Sequence, residues 1–209
     1  MNDSLTRIHF VRHGMVHNPQ GTFYGRLPRY SLGAEGQRQA EAIAQWLSDR
    51  PIAALYSSPM LRARQTAQAA ATLHPGLQVH ISRLLNEVYV PIQGLPLAEG
   101  IARGWDLYTG SPPPYESIED ILQRMLQFTA TALRRHAGHE AVAVTHGDPI
   151  AFVMLWAQGR PVTAANKAPL YHNYVAVGSI TTLIFSHGSM EERPALEYTV
   201  PYPGPTYPI

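Results

Sequence analysis

The sequence contains no cysteine. That excludes disulfides, thiolate nucleophiles and thiolate-held metals, and it fits a reducing compartment. Long hydrophobic runs are missing too. No stretch approaches the roughly 18 apolar residues of a membrane span, and the N-terminal MNDSLTRIHFV has no basic start followed by an apolar run. These absences predict a cytoplasmic protein with no membrane partner. Charge is sparse: 15% of residues are charged and the formal net charge is +1. Without a basic stripe, nucleic acid and anionic membrane surfaces are not expected partners. Lysine is nearly absent, because Lys167 is the only one. The positive charge is therefore arginine, whose planar fork binds oxyanions bidentately. Biased composition accounts for most of those arginines, so individual positions must carry any functional argument.

What is present is an ordinary globular composition. The chain has 209 residues, of which 45% are hydrophobic, enough for one sizeable core. Arg7–Val11 reads as a short buried strand that stops at Arg12-His13-Gly14. Residues 15–32 read as a long loop. Ala40, Ile43, Trp46 and Leu47 have helical spacing within a helix over about 33–49, which Pro51 ends. Ala53–Tyr56 is a second strand. Ser58 as N-cap and Pro59 as first helical residue predict a helix running to about Leu73. Leu77–Ile81 is a third strand. Residues 85–116 form a Pro- and Gly-rich excursion with a short helix near 95–108. Ile118, Ile121, Leu122, Met125, Thr129, Ala132 and Leu133 mark one face of a helix over 117–135, with Ser117 able to cap it. Ala141–Thr145 is a buried strand ending at His146-Gly147, and a helix follows over 148–158. Ser179–Phe185 and Leu196–Val200 read as a closing hairpin, before a Pro- and Tyr-rich tail over 201–209. This alternation predicts one domain over 1–209, a three-layer α/β/α fold with a mostly parallel central sheet. The apolar tail permits a homodimer without requiring one.

In such a sheet, ligands bind beyond the carboxyl ends of the strands. Two strands end in His-Gly, at His13-Gly14 and His146-Gly147. A third ends at Tyr56-Ser57-Ser58 and feeds a helix carrying Arg62. Their convergence would gather two imidazoles with the guanidinium groups of Arg12 and Arg62, a cluster suited to a phosphoryl dianion. The Gly147 N–H at a helix start could face an oxyanion.

These segments resemble a known family. VRHG at 11–14, SSPMLRARQTA at 57–67 and VTHGDPI at 144–150 are similar, in order and spacing, to the signature segments of the histidine phosphatase superfamily, also called phosphoglycerate-mutase-like. The similarity spans about residues 5–186. The resemblance implies a metal-independent enzyme without a cofactor, acting on a small phosphorylated substrate. It implies that His13 attacks phosphorus and becomes phosphohistidine, which splits one displacement into two. Arg12, Arg62 and His146 would hold the non-bridging oxygens. A carboxyl group would protonate the leaving oxygen and then activate water. Glu87, in LLNEVYV, follows the third strand as the family's acid-bearing segment does, although Pro91 alters the pattern before Gly94. Glu116, Asp106 and Glu99 are rival carboxyls. Asn18 lies where the family often has a phosphate-binding asparagine, one residue closer to the RHG motif than in many members. Met15, Val16 and residues 19–30 depart from the common mutase version and leave the substrate contacts open.

The resemblance leaves four activities to separate. The reading preferred here is hydrolysis of a small phosphomonoester. The runner-up is a phosphoglycerate mutase, which would need a second basic cluster; Arg103 or the pair Arg26 and Arg29 could supply one. Against it, Tyr89, Trp105, Tyr108 and Tyr115 suggest an apolar pocket wall. A phospho-ligand binder without turnover is the third. A metal hydrolase using His9, His13, His17 or His146 is the fourth, with poor ligand spacing. With His13 neutral and the acid protonated, the rate should be bell-shaped or favour mildly acidic to neutral pH.

Overall fold

Strands rich in β-branched and apolar residues alternate with amphipathic helices, and the computed structural model assembles them into one mixed sheet with helices on both faces. It describes residues 5–167, 174–186 and 189–205; the last four residues of the tail lie outside it. The elements are β1 (Thr6–Arg12), α1 (Ala34–Leu47), β2 (Ile52–Ser57), α2 (Leu61–Thr72), β3 (Val79–Ile81), α3 (Leu97–Ala102), α4 (Ile118–Arg135), β4 (Glu140–Thr145), α5 (Gly147–Ala157), α6 (Ala164–Lys167), β5 (Ile180–Phe185) and β6 (Ala195–Thr199), with a 3-10 turn at Arg83–Leu85. The sheet order is β3-β2-β4-β1-β5-β6. The first four strands in that order run parallel, while β5 pairs antiparallel with both β1 and β6. The expected α/β/α architecture is therefore present. Among the described residues, no helix is long and apolar enough to cross a membrane.

The strand pleat explains the layers. Ile8, Phe10 and Ala143 pack with Met125, Phe128, Phe152 and their neighbours from α4 and α5. Val11, Val142, Val144 and Leu55 point the other way, against Ile43, Leu47, Ala63 and Ala67 from α1 and α2. Every residue of β4 is buried. A central strand covered on both faces needs an unbroken apolar run, and AVAV supplies it. Ser117 caps α4 in a complete capping box with Asp120, which satisfies two N–H groups at the helix start.

Several boundaries differ from the sequence reading. Helix α2 starts at Leu61, with Met60 as an extended N-cap, rather than at Ser58-Pro59. Ser58 is fully buried, and its hydroxyl accepts from the Met60 N–H at 3.3 Å. It thus turns the chain before the helix instead of capping it. Strand β3 is three residues long, and its Ile81 is exposed. The excursion after it contains only the 3-10 turn and the six-residue α3. The four-residue α6 follows no periodic signal in the sequence.

Candidate active site

Register brings the site together. Arg12 on β1 lies opposite Thr145 on β4, and Ser57 on β2 lies opposite Val144. The residues that follow these three strand ends, His13, His146 and Ser58, are therefore neighbours. The His13 N–H donates to the Thr145 carbonyl at 3.2 Å and the Ser58 N–H to the Val144 carbonyl at 2.9 Å. The two imidazole rings sit edge to face with centroids 5.1 Å apart.

Arg62 occupies the middle. It is fully buried in the first turn of α2. Its Nε lies 3.0 Å from His13 Nε2. Its Nη2 lies 3.1 Å from His146 Nδ1, 3.4 Å from Glu87 Oε2 and 2.9 Å from the Gly25 carbonyl. The Tyr24 ring covers the guanidinium, with 4.6 Å between Cζ and the ring centroid. A buried charge of this kind is tolerable only when its donors are engaged.

His13 has a defined polarity. Its Nδ1 is 2.8 Å from the Gly14 carbonyl, an obligate acceptor, so Nδ1 carries the proton. Nε2 is then a lone pair, and it faces Arg62. Burial, helped by Arg62, His146 and Arg12, holds the ring well below the ordinary imidazole range, so it is neutral at physiological pH. His146 is pushed down to about 4, chiefly by burial. Its Nε2 meets the Ser58 hydroxyl at 2.8 Å, while Nδ1 faces Arg62 and, at 3.3 Å, Glu87 Oε2.

Glu87 is the carboxyl that the fold delivers to this cluster. Burial opposes its ionisation, but His146, Arg62 and the Val88 N–H outweigh burial and hold it below the usual carboxylate range. Arg62 Nη2 lies 3.4 Å from its Oε2, and the Val88 N–H donates to its Oε1 at 2.9 Å. The 3-10 turn that leads to Glu87 is anchored to the sheet by the Thr145 hydroxyl, which donates to the Leu85 carbonyl at 2.7 Å.

The other candidates are placed as follows. Arg12 is part-buried, and its Nη1 donates to the Val175 carbonyl. Its Cζ lies 5.1 Å from the Tyr174 ring centroid, and its buried Nε has no partner among the described residues. Gly147 opens α5, so its N–H has no intrahelical acceptor. Asn18 is engaged within its own loop, donating to the Thr22 carbonyl at 3.0 Å and accepting from the Thr22 N–H at 3.1 Å. Of the rival carboxyls, Glu116 is paired with Arg26 and Arg124. Asp106 closes a turn with Tyr108 and Thr109, and Glu99 is exposed. Tyr108 is a core residue whose hydroxyl binds Asp148; Tyr89 packs on Tyr115.

Of the histidines proposed for a metal, His13 and His146 are neighbours, and His9 and His17 do not join them. His9 is buried between Thr182 and Glu140 at 2.8 Å each, and His17 is exposed. His13, Glu87 and His146 do offer ligand atoms within 4.8 Å of one another. The Arg62 guanidinium touches all three, so a cation there would meet a fixed positive charge. A surface cleft of about 450 Å³ is lined by Tyr56, His80, Phe128, Arg135 and neighbours, and none of the site residues lines it.

Sequence reading missed three contributors. Ser58 looked like a helix cap and instead braces His146. Its position directly after a strand end was the available signal. Tyr24 and Tyr174, which cover Arg62 and Arg12, stand in irregular segments without periodicity.

Comparison with known proteins identifies the family and the fold. The family described as "Histidine phosphatase superfamily (branch 1)" matches residues 8–193. The uncharacterized protein Rv0525 of Mycobacterium tuberculosis is 36% identical over 191 residues, covering 86% of this chain and 90% of that protein. A metal-independent phosphoserine phosphatase of Arabidopsis thaliana is 28% identical, covering 74% and 70%. Among solved structures, mycobacterial glucosyl-3-phosphoglycerate phosphatase superposes with a TM-score of 0.75 at 25% identity, over 94% of this chain and 98% of that one. Phosphoserine phosphatase of Entamoeba histolytica, solved with 3-phosphoglyceric acid, gives 0.71 at 25% identity, over 92% and 96%. With the match running from β1 to just before β6, the chain belongs to the histidine phosphatase superfamily, branch 1.

Proposed function

We propose that this protein is a metal-independent phosphatase that hydrolyses a small phosphomonoester through a phosphohistidine on His13. The observation that carries the reading is the lone pair at His13 Nε2, set by the Nδ1–H···O=C bond to Gly14 and aimed at the Arg62 guanidinium. A neutral, oriented imidazole beside a buried cation is a nucleophile next to an oxyanion site.

A phosphate entering this space takes over the donors of Arg62, which release Nε2 and Glu87. Arg12, His146 and the Gly147 N–H contribute the remaining oxygen contacts. Asn18 joins them only by letting go of Thr22. Nε2 attacks phosphorus, the P–N bond forms and the ester P–O bond breaks, and the Glu87 proton goes to the departing oxygen. Water then attacks phosphorus, its proton passes to Glu87, the P–N bond breaks and phosphate leaves. Glu87 is held below the usual carboxylate range, so it is ionised before substrate binds. The required proton therefore enters with the substrate, whose second ionisation lies near about 6. This places the favourable range at mildly acidic to neutral pH. Hydrolysis is favoured over mutase chemistry because Arg26, a candidate second anion site, is bound to Glu116 and to the Glu87 carbonyl.

The test is phosphate release from p-nitrophenyl phosphate and a panel of phosphometabolites, with and without exhaustive chelation. Turnover is expected to survive chelation, to fall at least about 1,000-fold in His13→Ala, and to leave acid-labile phosphate on the wild-type protein after a rapid quench. Interconversion of 2- and 3-phosphoglycerate with negligible hydrolysis would overturn the reading, as would full activity in His13→Ala.

A further inference from the structure

Glu87 reaches the site from an irregular segment, so something other than a helix or strand must fix it. The polar groups around residues 84–89 converge on one carboxylate. Glu116 accepts from Arg26 Nη2 at 2.7 Å and from Arg124 Nε at 2.9 Å. It also accepts from the Tyr89 N–H at 3.0 Å, and its own N–H donates to the Tyr89 carbonyl at 2.9 Å. The two arginines complete the frame. Arg26 Nε donates to the Glu87 carbonyl at 2.6 Å, and Arg124 Nη1 donates to the Leu84 carbonyl at 2.7 Å. Arg26 also lies over the Tyr89 ring, with 5.4 Å between Cζ and the centroid. The backbone is thus held before, at and after Glu87.

We propose that Glu116 is the positioning residue for Glu87, acting through Arg26, Arg124 and the Tyr89 backbone to set where the proton donor stands. This rests on Glu87 being that donor. Glu116 itself touches none of the reacting groups. Its charge matters as much as its bonds. Without it, two guanidinium groups flanking the 84–89 segment would be uncompensated, and together with Arg62 they would favour the ionised form of Glu87. A weakened donor is felt most when the leaving group is a poor one.

Leaving-group dependence therefore tests the proposal. Phenol, with a pKa near about 10 like tyrosine, needs protonation far more than p-nitrophenol does. The measured quantity is the ratio of kcat/KM for phenyl phosphate to that for p-nitrophenyl phosphate. It reports steps only through departure of the first product, so hydrolysis of phosphohistidine does not enter. Glu87→Gln should lower the ratio about 100-fold, and Glu116→Gln about 5-fold or more. The double variant should match Glu87→Gln alone, because Glu116 acts through Glu87. Arg26→Gln removes the bond to the Glu87 carbonyl at a more exposed position; because it takes away positive charge, only the lost positioning can lower the ratio, as it should, and this variant carries the test if Glu116→Gln does not fold. If Glu87→Gln lowers the ratio while Glu116→Gln and Arg26→Gln affect both substrates alike, Glu116 is merely structural and the proposal falls. If Glu87→Gln leaves the ratio unchanged, Glu87 is not the donor, and both readings fall together.

Discussion

Single residues here act through bonds that orient other residues. Ser58 illustrates this. Its hydroxyl is the partner of His146 Nε2 and leaves Nδ1 facing Arg62 and Glu87. Ser58→Ala removes that partner in a fully buried setting. A lost hydrogen bond of about 1 kcal/mol predicts a 5- to 10-fold loss in kcat/KM for phosphate release, with a folded protein by circular dichroism. A Ser58→Ala enzyme with wild-type kinetics would remove Ser58 from the site. The residue types at this scale were largely legible. His13, Arg12, Arg62 and His146 stood at strand ends or in the first turn after one, where a parallel sheet must put its site. Glu87 was the weaker reading, because an irregular segment has no period from which to infer direction.

At the scale of elements, the decisive contact is between α1 and the loop after β1. A Cβ added at Gly36 would lie 2.0 Å from the Met15 carbonyl oxygen, and one added at Gly14 would lie 2.3 Å from the Gly36 carbonyl. Both obstacles are backbone, which cannot swing aside as a side chain can. Gly36→Ala must therefore push α1 away from the segment that carries His13. A destabilisation of about 2 kcal/mol or more is expected in urea unfolding, together with loss of activity. An unchanged midpoint would mean that the helix shifts freely. The helix itself was readable from Ala40, Ile43 and Leu47, all of which are buried. Its closeness to the loop was not, because a glycine in a helix announces neither its partner nor its distance.

At the scale of the molecule, several buried groups make stability depend on pH in one direction. His146 titrates at about 4 when folded, against 6.5 for an ordinary histidine. Between those values the unfolded chain binds the proton that the folded chain refuses, so stability falls as pH drops through that window. His9 and His13, both lowered by burial, add to the same slope. Glu87 is held below its ordinary range, and its contribution is present above about pH 4.5 and is lost as pH falls toward its folded value. The His146 shift alone corresponds to something on the order of 3 kcal/mol. The urea midpoint should thus be highest above pH 7 and drop steeply between pH 6.5 and 4. A midpoint that stays flat across that range would contradict the buried, neutral state of these histidines.

The sequence by itself determined the architecture and the chemistry on offer. Alternating strand and helix patterns require a layered α/β fold, the unbroken apolar run of β4 requires a central strand, and His-Gly after two such strands puts imidazoles at one sheet edge. The tertiary structure decided what those groups do to one another. Contacts such as Arg62 with His13, His146 and Glu87, or Glu116 with Arg26 and Tyr89, join residues 25 to 90 positions apart. Periodicity describes only neighbours along the chain. Which lone pair is free, which carboxyl is engaged and which serine braces a histidine depend on distances set by packing, and packing exists only once the layers have closed.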